Sequence, residues 1–407
     1  LATHQGRRMF LPRTLPGERV RARVDLSGRG EPHGAVEAVL EPSPHRVDPP
    51  CPHFGACGGC VLQHLAPETL TAWKRETLVQ ALGHRGLGDT TVDPVVSIPP
   101  GHRRRATLGW VHTAAGLLLG FHGSASHRLE NLRGCALLTP ALAATVAANG
   151  PLRATLAAVT VPGNKGQVVL TETETGLDLT LDLPSSPDLP ARERLAALAE
   201  TADVARLSLR IGDAWEPVAA RRLPQVRFAD VPVTLPALAF LQPSRPGEAA
   251  ITEAILARLP KDTGRALDLF AGLGTFSLPM AARGAVVHAV DGAAEAMAAL
   301  ASAAGGHGQR VTTETRDLAR DPLTGRALRE ADVVVFDPPR AGARAQTEAL
   351  TEARPPVLIA VSCNPATFAR DARTLVDAGY RLGPVTPIDQ FPWSAHVELV
   401  ARLDRTE

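Results

Sequence analysis

Three of the chain's five cysteines fall in the ten residues "CPHFGACGGC", as Cys51, Cys57 and Cys60; the other two are Cys135 and Cys363. Thiolates bind metals or act as nucleophiles, and in a long chain without export signals clustered cysteines favour those uses over disulfides. Zinc prefers short Cys pairs, whereas the uneven C-x5-C-x2-C spacing lies nearer the iron–sulfur ferredoxins. Spacing alone leaves both open. Cys363 stands apart, in "VLIAVSCNPATFARD", at the end of an apolar strand. In an open α/β sheet ligands sit beyond the carboxyl ends of the strands. A lone Cys is ordinarily a small buried hydrophobe, but at a strand mouth followed by Asn-Pro it reads as a nucleophile. "VVVFDPPRAG" sets Asp337 and Arg340 at another strand mouth, and Glu398, two residues after His396, opens the strand "VELVARL". A carboxylate entering the sheet beside a reactive thiol is a candidate general base; the competing reading is an exposed strand-edge Glu.

These residues need elements that bring them together. "ALDLFAGLGTFSL" is a strand ending at Asp268, a turn with Gly272 and Gly274, and a helix. The turn has G-x-G without the third glycine of the dinucleotide fingerprint, which argues against NAD. "VVHAVDG" ends the next strand at Asp291, placed to accept hydrogen bonds from ribose hydroxyls, so an adenosine-type ligand is expected. Strand–helix alternation from about residue 245 predicts a parallel sheet covered on both faces. The predicted class is α/β: a C-terminal Rossmann-like domain (236–407), a central α+β domain carrying the cysteines (46–235), and a small N-terminal β unit (1–45). In the last, "GERVRARV" alternates Val and Arg at period two, a half-buried strand. "PETLTAWKRETLVQALGHRG" predicts a helix with Leu70, Trp73, Leu78 and Leu82 on one side. Arg103, Arg104 and Arg105 fall on a strand, so at most two share a face; phosphate contact and a solvated edge are both open. The 407 residues exceed one ordinary core. A formal net charge of +1 neither demands nor excludes nucleic acid. No apolar signal core and no run of about 18 apolar residues is present, so a cytoplasmic location is expected.

In this order the motifs resemble the RNA 5-methyluridine methyltransferases, specifically the iron–sulfur-containing 23S rRNA (uracil-C5) branch with a TRAM domain. "GERVRARV" looks like the start of the TRAM barrel, an OB-like RNA-binding β-barrel. "CPHFGACGGCVLQHL" looks like the cluster signature, with "LRGCALL" supplying the fourth ligand, and "FLQ", "DLFAGLGTFSL", "DPPRAG", "SCNPATFARD" and "HVE" follow in family order. The resemblance implies a [4Fe-4S] cluster on Cys51, Cys57, Cys60 and Cys135, Cys363 as nucleophile and Glu398 as base. It implies an S-adenosylmethionine site at Gln242, Phe270, Gly272, Thr275, Asp291, Asp317 and Asp337, with Phe240 and Arg340 towards the substrate. RNA, most of all rRNA, is the implied partner. One departure is Ser244, where the family's Phe-x-Gln-x-Asn has Asn.

The chemistry explains the residue types. Adding a thiolate to carbon 6 of uracil makes carbon 5 nucleophilic, which splits one hard step into two easier ones. The site is expected to favour ionised Cys363, Glu398 to take the carbon 5 proton, and the target base to be flipped out or unpaired. Phe240 could stack on it. The rivals are a transfer-RNA enzyme of the same kind, a methyltransferase for a small molecule or protein, and a non-catalytic RNA-binding protein.

Overall fold

The computed structural model describes residues 2–4, 6–25, 32–124, 126 and 128–406. Short apolar runs make its main sheet. Val311–Thr315, Val286–Asp291, Arg265–Leu269, Val333–Phe336 and Val357–Ser362 lie parallel in that spatial order. Glu398–Arg405 then inserts antiparallel between Val357–Ser362 and Tyr380–Asp389, and Val96–Ser97 pairs with the outer edge. Successive side chains leave a strand on opposite faces. Val334 and Phe336 accordingly pack under helices Pro67–Gly83 and Pro365–Asp377, while Val333 and Val335 pack with Arg245–Leu256 and Ser277–Ala282. Burial on both faces is why Val333–Phe336 and Val357–Ser362 read as continuous apolar runs, whereas the edge strand Val311–Thr315 is polar and partly exposed.

The helix Pro67–Gly83 corrects one expectation. Its inward stripe is Leu70, Lys74, Leu78 and Leu82, while Trp73 is 41% exposed. Strict i, i+4 spacing puts position 74, and not 73, in line with the leucines. A lysine is tolerated there because its ammonium meets Asp389 at 2.6 Å and donates to the Phe391 carbonyl at 3.0 Å. Leu78, Leu82, Leu87 and Val92 join the core of the C-terminal sheet, so the segment 67–97, expected in the central domain, packs with the C-terminal one.

The rest of the central region is a six-stranded sheet in the order Ala214–Ala220, Val204–Ile211, Gly176–Asp182, Lys165–Thr173, Arg105–Thr113, Gly116–Gly120. Three helices pack on it around Leu142, Leu152, Leu156, Leu195 and Leu198. Arg103, Arg104 and Arg105 form neither a phosphate-facing surface nor a solvated edge. Arg104 is 3% exposed, pairs with Glu248 at 2.5 Å and donates to the Gln242 carbonyl at 2.9 Å. Arg103 and Arg105 are half-buried, with hydrogen bonds to the carbonyls of Arg105 and Leu238.

In the N-terminal unit, Ala2–His4 pairs with Arg7–Met9 and Arg19–Asp25 with His33–Glu41. Among the described residues these are two separate ribbons joined by a bridge from Phe10 to His33; residues 26–31 of this unit lie outside them. Arg19, Arg21 and Arg23 share one exposed face, as the period-two pattern predicts.

Candidate active site and cysteine site

Cys363 ends the Val357–Ser362 strand and precedes the helix Pro365–Asp377. Asn364 makes that turn. Its carbonyl side chain caps the helix at the Ala366 N–H (3.0 Å), its amide donates to the Arg340 carbonyl (3.2 Å), and Pro365 fits the first helical position. The Cys363 turn is thereby tied to the Asp337–Arg340 loop. Ser362 pairs with Leu399 across the antiparallel strands, so Glu398 starts its strand where Cys363 leaves the neighbouring one.

One cavity of about 730 Å³ is lined by Phe240, Gln242, Phe270, Gly272, Asp291, Asp337, Arg340, Cys363 and Glu398, together with an apolar wall from Pro236–Ala239 and the segment Ala293–Ala296, which carries Glu295. Nine of the residues expected to bind cofactor or substrate or to react meet there. Two do not. Thr275 is half-buried behind the glycine turn, and Asp317 is an exposed carboxylate that accepts from the Ala319 N–H at 3.1 Å. The glycine turn is tight for stated reasons. Phe270, Gly272 and Gly274 have φ of 63°, 53° and 84°, and a Cβ on Gly274 would lie 2.4 Å from Leu300. Asp291 braces the turn, accepting from Gly272 N–H at 3.0 Å and Ala293 N–H at 2.7 Å. Its remaining lone pairs can still accept from a ribose. A cavity of this size, apolar with a few convergent polar groups, fits an adenosine-type ligand plus a base.

The protein's own groups oppose an ionised Cys363. Burial, then the charges of Glu398 and Asp337, push the Cys363 thiol up to about 11, against the pull of Arg340. The helix N-terminus favours a thiolate, but desolvation and two carboxylates win. Burial also raises Glu398 to about 7, partly offset by the hydrogen bond from Gln390. Burial and Glu398 hold Asp337 well above the ordinary carboxylate range. In this structure the site therefore stores protons near neutrality, and ionising Cys363 needs a group to take its proton.

The roles of several residues behind the cavity escaped the sequence reading. Gln390 is 4% exposed; its amide donates to Gln242 Oε1 at 2.9 Å and Glu398 Oε1 at 3.4 Å, while Gln242 donates to Asp337 Oδ2 at 3.3 Å. Two side-chain amides thus bridge the two carboxylates. Ser244 caps the helix Arg245–Leu256 and donates to Gln390 Oε1 at 3.4 Å, which gives the Ser in the family's Asn place a structural use. Asp268 is fully buried and raised to about 7 by burial, with Ser277 donating at 2.5 Å. Lys74 anchors the residues on either side of Gln390. No spacing rule flags such residues, because their partners are distant in sequence.

Cys51, Cys57, Cys60 and Cys135 line a second cavity, of about 320 Å³. His53 is no ligand candidate: its ring nitrogens meet Glu130 at 2.9 Å and the Arg133 N–H at 2.9 Å. Burial raises Cys57, Cys60 and Cys135, Cys60 to about 11, so these thiols ionise only beside a cation. A tetrahedral zinc at about 2.3 Å from each sulfur would draw four thiolates to within about 4 Å of one another. Among the described residues no three His, Cys, Asp or Glu side chains converge as donors to a single ion.

A family model described as tRNA (Uracil-5-)-methyltransferase matches residues 309–406. The chain is 40% identical over 405 residues to an uncharacterized RNA methyltransferase of Rhizobium meliloti (strain 1021), covering 98% of this chain and 94% of the relative. It is 35% identical over 423 residues to the 23S rRNA (uracil(1939)-C(5))-methyltransferase RlmD of Chromohalobacter salexigens, covering 98% and 85%. The crystal structure of the Pyrococcus abyssi tRNA (uracil-54, C5)-methyltransferase, in complex with S-adenosyl-L-homocysteine, shares the fold with a TM-score of 0.76 at 22% identity, over 97% of this chain and 95% of that one.

Proposed function

This chain belongs to the RNA (uracil-C5)-methyltransferase family, and from that membership we propose that it methylates carbon 5 of a uridine in 23S ribosomal RNA through a covalent adduct on Cys363. It is an S-adenosylmethionine-dependent enzyme that acts on RNA. The residue roles rest on one observation: thiol, carboxylates and glycine turn line a single cavity.

Phe240, 62% exposed at the mouth, stacks on the unpaired base, and Arg340 meets the neighbouring backbone. Asp337 accepts the Cys363 proton as the sulfur adds to carbon 6. Gly272 and Asp291 would hold S-adenosylmethionine, which would supply an electrophilic methyl group to the activated carbon 5 and leave as S-adenosylhomocysteine. Glu398, held by Gln390, takes the carbon 5 proton, and the carbon–sulfur bond then breaks to release product and regenerate the thiol. The raised Glu398 carboxyl is matched to this work, since a base acts best with a pKa near the working pH.

We assign Cys51, Cys57, Cys60 and Cys135, which line one cavity in the uneven spacing of the iron–sulfur signature, as ligands of a [4Fe-4S] cluster. Methyl transfer moves no net electrons, so its role there is not redox. The N-terminal ribbons, where Arg21 is exposed between Arg19 and Arg23, which pair with Glu41 and Glu37, are the TRAM-like surface that meets RNA. The 35% identity along 98% of the chain to a 23S rRNA enzyme supports ribosomal over transfer RNA. Mapping 5-methyluridine in rRNA and tRNA from cells with and without the protein tests this. One 23S position should lose its methyl group; loss from tRNA alone refutes the ribosomal assignment.

A further inference from the structure

The cysteine cavity and the reaction cavity share no lining residue, yet two short backbone bridges join them. The first runs through Arg103 and Arg104. Arg103 pairs with the segment just after Cys135, its N–H donating to Leu137 O at 2.8 Å and its carbonyl accepting from Thr139 N–H at 3.0 Å. On its other edge Arg103 bridges to Ser244, and Arg104 N–H donates to Pro243 O at 2.8 Å. The Arg104 side chain then holds the Gln242 carbonyl and Glu248. The second bridge starts beside Cys60. The N–H groups of Val61 and Leu62 both donate to the Trp393 carbonyl at 3.0 Å. Trp393 also lines the cysteine cavity, and at φ 61° it sits in the left-handed region that a bulky residue rarely enters.

The bridges converge. One ends on the backbone of Gln242, the other on the loop between Gln390 and Glu398, and these two glutamines are the amides that orient Asp337 and Glu398. We propose that the cysteine site is a positioning device: the group bound by the four thiolates fixes the far ends of both bridges and so sets the geometry of the carboxylates. Arg104 and Trp393 are positioning residues. The three consecutive arginines serve this joint instead of the RNA. The inference rests on the cluster assignment above.

The test uses full-length protein purified without oxygen, with iron assayed first. Hydrogen exchange is then followed before and after iron is stripped with a chelator. Peptides over 238–246 and 388–396 should exchange about tenfold faster after stripping, while Val286–Asp291 is unchanged. Unchanged exchange at both segments, with 51–63 and 133–138 loosened, overturns the inference and leaves the cluster assignment standing. Protein that never contains iron overturns the assignment. Arg104→Met provides an arm independent of iron. It should keep the visible absorbance, lower kcat by about tenfold or more with little change in KM for RNA, and move the pH profile of kcat; Arg104→Lys should restore part of kcat. If Arg104→Met does not fold, Glu248→Gln removes the same ion pair with the shape kept. A variant with wild-type kcat and pH profile overturns the proposal.

Discussion

At the scale of single residues, the site separates addition from elimination. Cys363→Ala removes the nucleophile, so neither adduct nor product should form. Glu398→Gln leaves thiol and cofactor turn intact but cannot take the carbon 5 proton. It should accumulate a methyl-bearing RNA adduct that survives a denaturing gel and vanishes in the double variant with Cys363→Ala. Turnover of Glu398→Gln at the parent rate would show that another group is the base. The pH dependence has a definite sign. Glu398 is raised from 4.5 to about 7 by burial, and only its ionised form is a base, so the elimination rate should rise with pH through about 7. Folding stability runs the other way: the contribution of the neutral, buried carboxyl is complete below 4.5 and is lost as pH rises through 7. Glu398→Gln should therefore gain roughly 1–3 kcal/mol over the parent at pH 8 and nothing at pH 4, read from urea midpoints. Asp291 is the corresponding cofactor probe. Asp291→Ala should weaken S-adenosylmethionine binding by about 1.5–3 kcal/mol in calorimetry, with RNA affinity unchanged.

At the scale of elements, the informative case is the helix Pro67–Gly83. Lys74 is fully buried against Asp389. Burial lowers its pKa, with Asp389 pulling back. Lys74→Met strands the Asp389 carboxylate in the interior and should cost about 3–5 kcal/mol in denaturant unfolding. The double variant with Asp389→Leu should recover much of that, because a buried pair exchanged for apolar groups is often neutral. This helix also shows where legibility in the sequence stops. Its existence and span followed from leucine spacing and Pro67, but a buried lysine breaks the apolar stripe, and its partner lies far along the chain. The strands, the glycine turn and the gathering of Cys363, Glu398, Asp337 and Asp291 were legible for the opposite reason: each sits at a strand end, and the sheet rule says where strand ends go. Gln390 and Arg104 were not, since an amide or guanidinium carries no local signature of what it will touch. The desolvation of Cys363 was not legible either, since it depends on packing that no motif encodes.

At the scale of the whole molecule, the proposed cluster should contribute to folding as well as to the joint between sites. Protein purified without oxygen should be brown and hold about four irons per chain. Cys57→Ser should bleach it and lower its denaturant midpoint, since metal binding is folding free energy; colourless protein with stoichiometric zinc would sink the assignment. The sheet itself has a consequence in time. Glu398–Arg405 lies inside the sheet, between Val357–Ser362 and Tyr380–Asp389, yet follows both in the chain. A growing polypeptide thus makes both neighbours before the strand that fills the gap, and until then it presents two unpaired apolar edges. The ribosome that this enzyme is proposed to modify must therefore shelter, or hand to a chaperone, a half-built sheet whose catalytic base arrives with the strand that closes it.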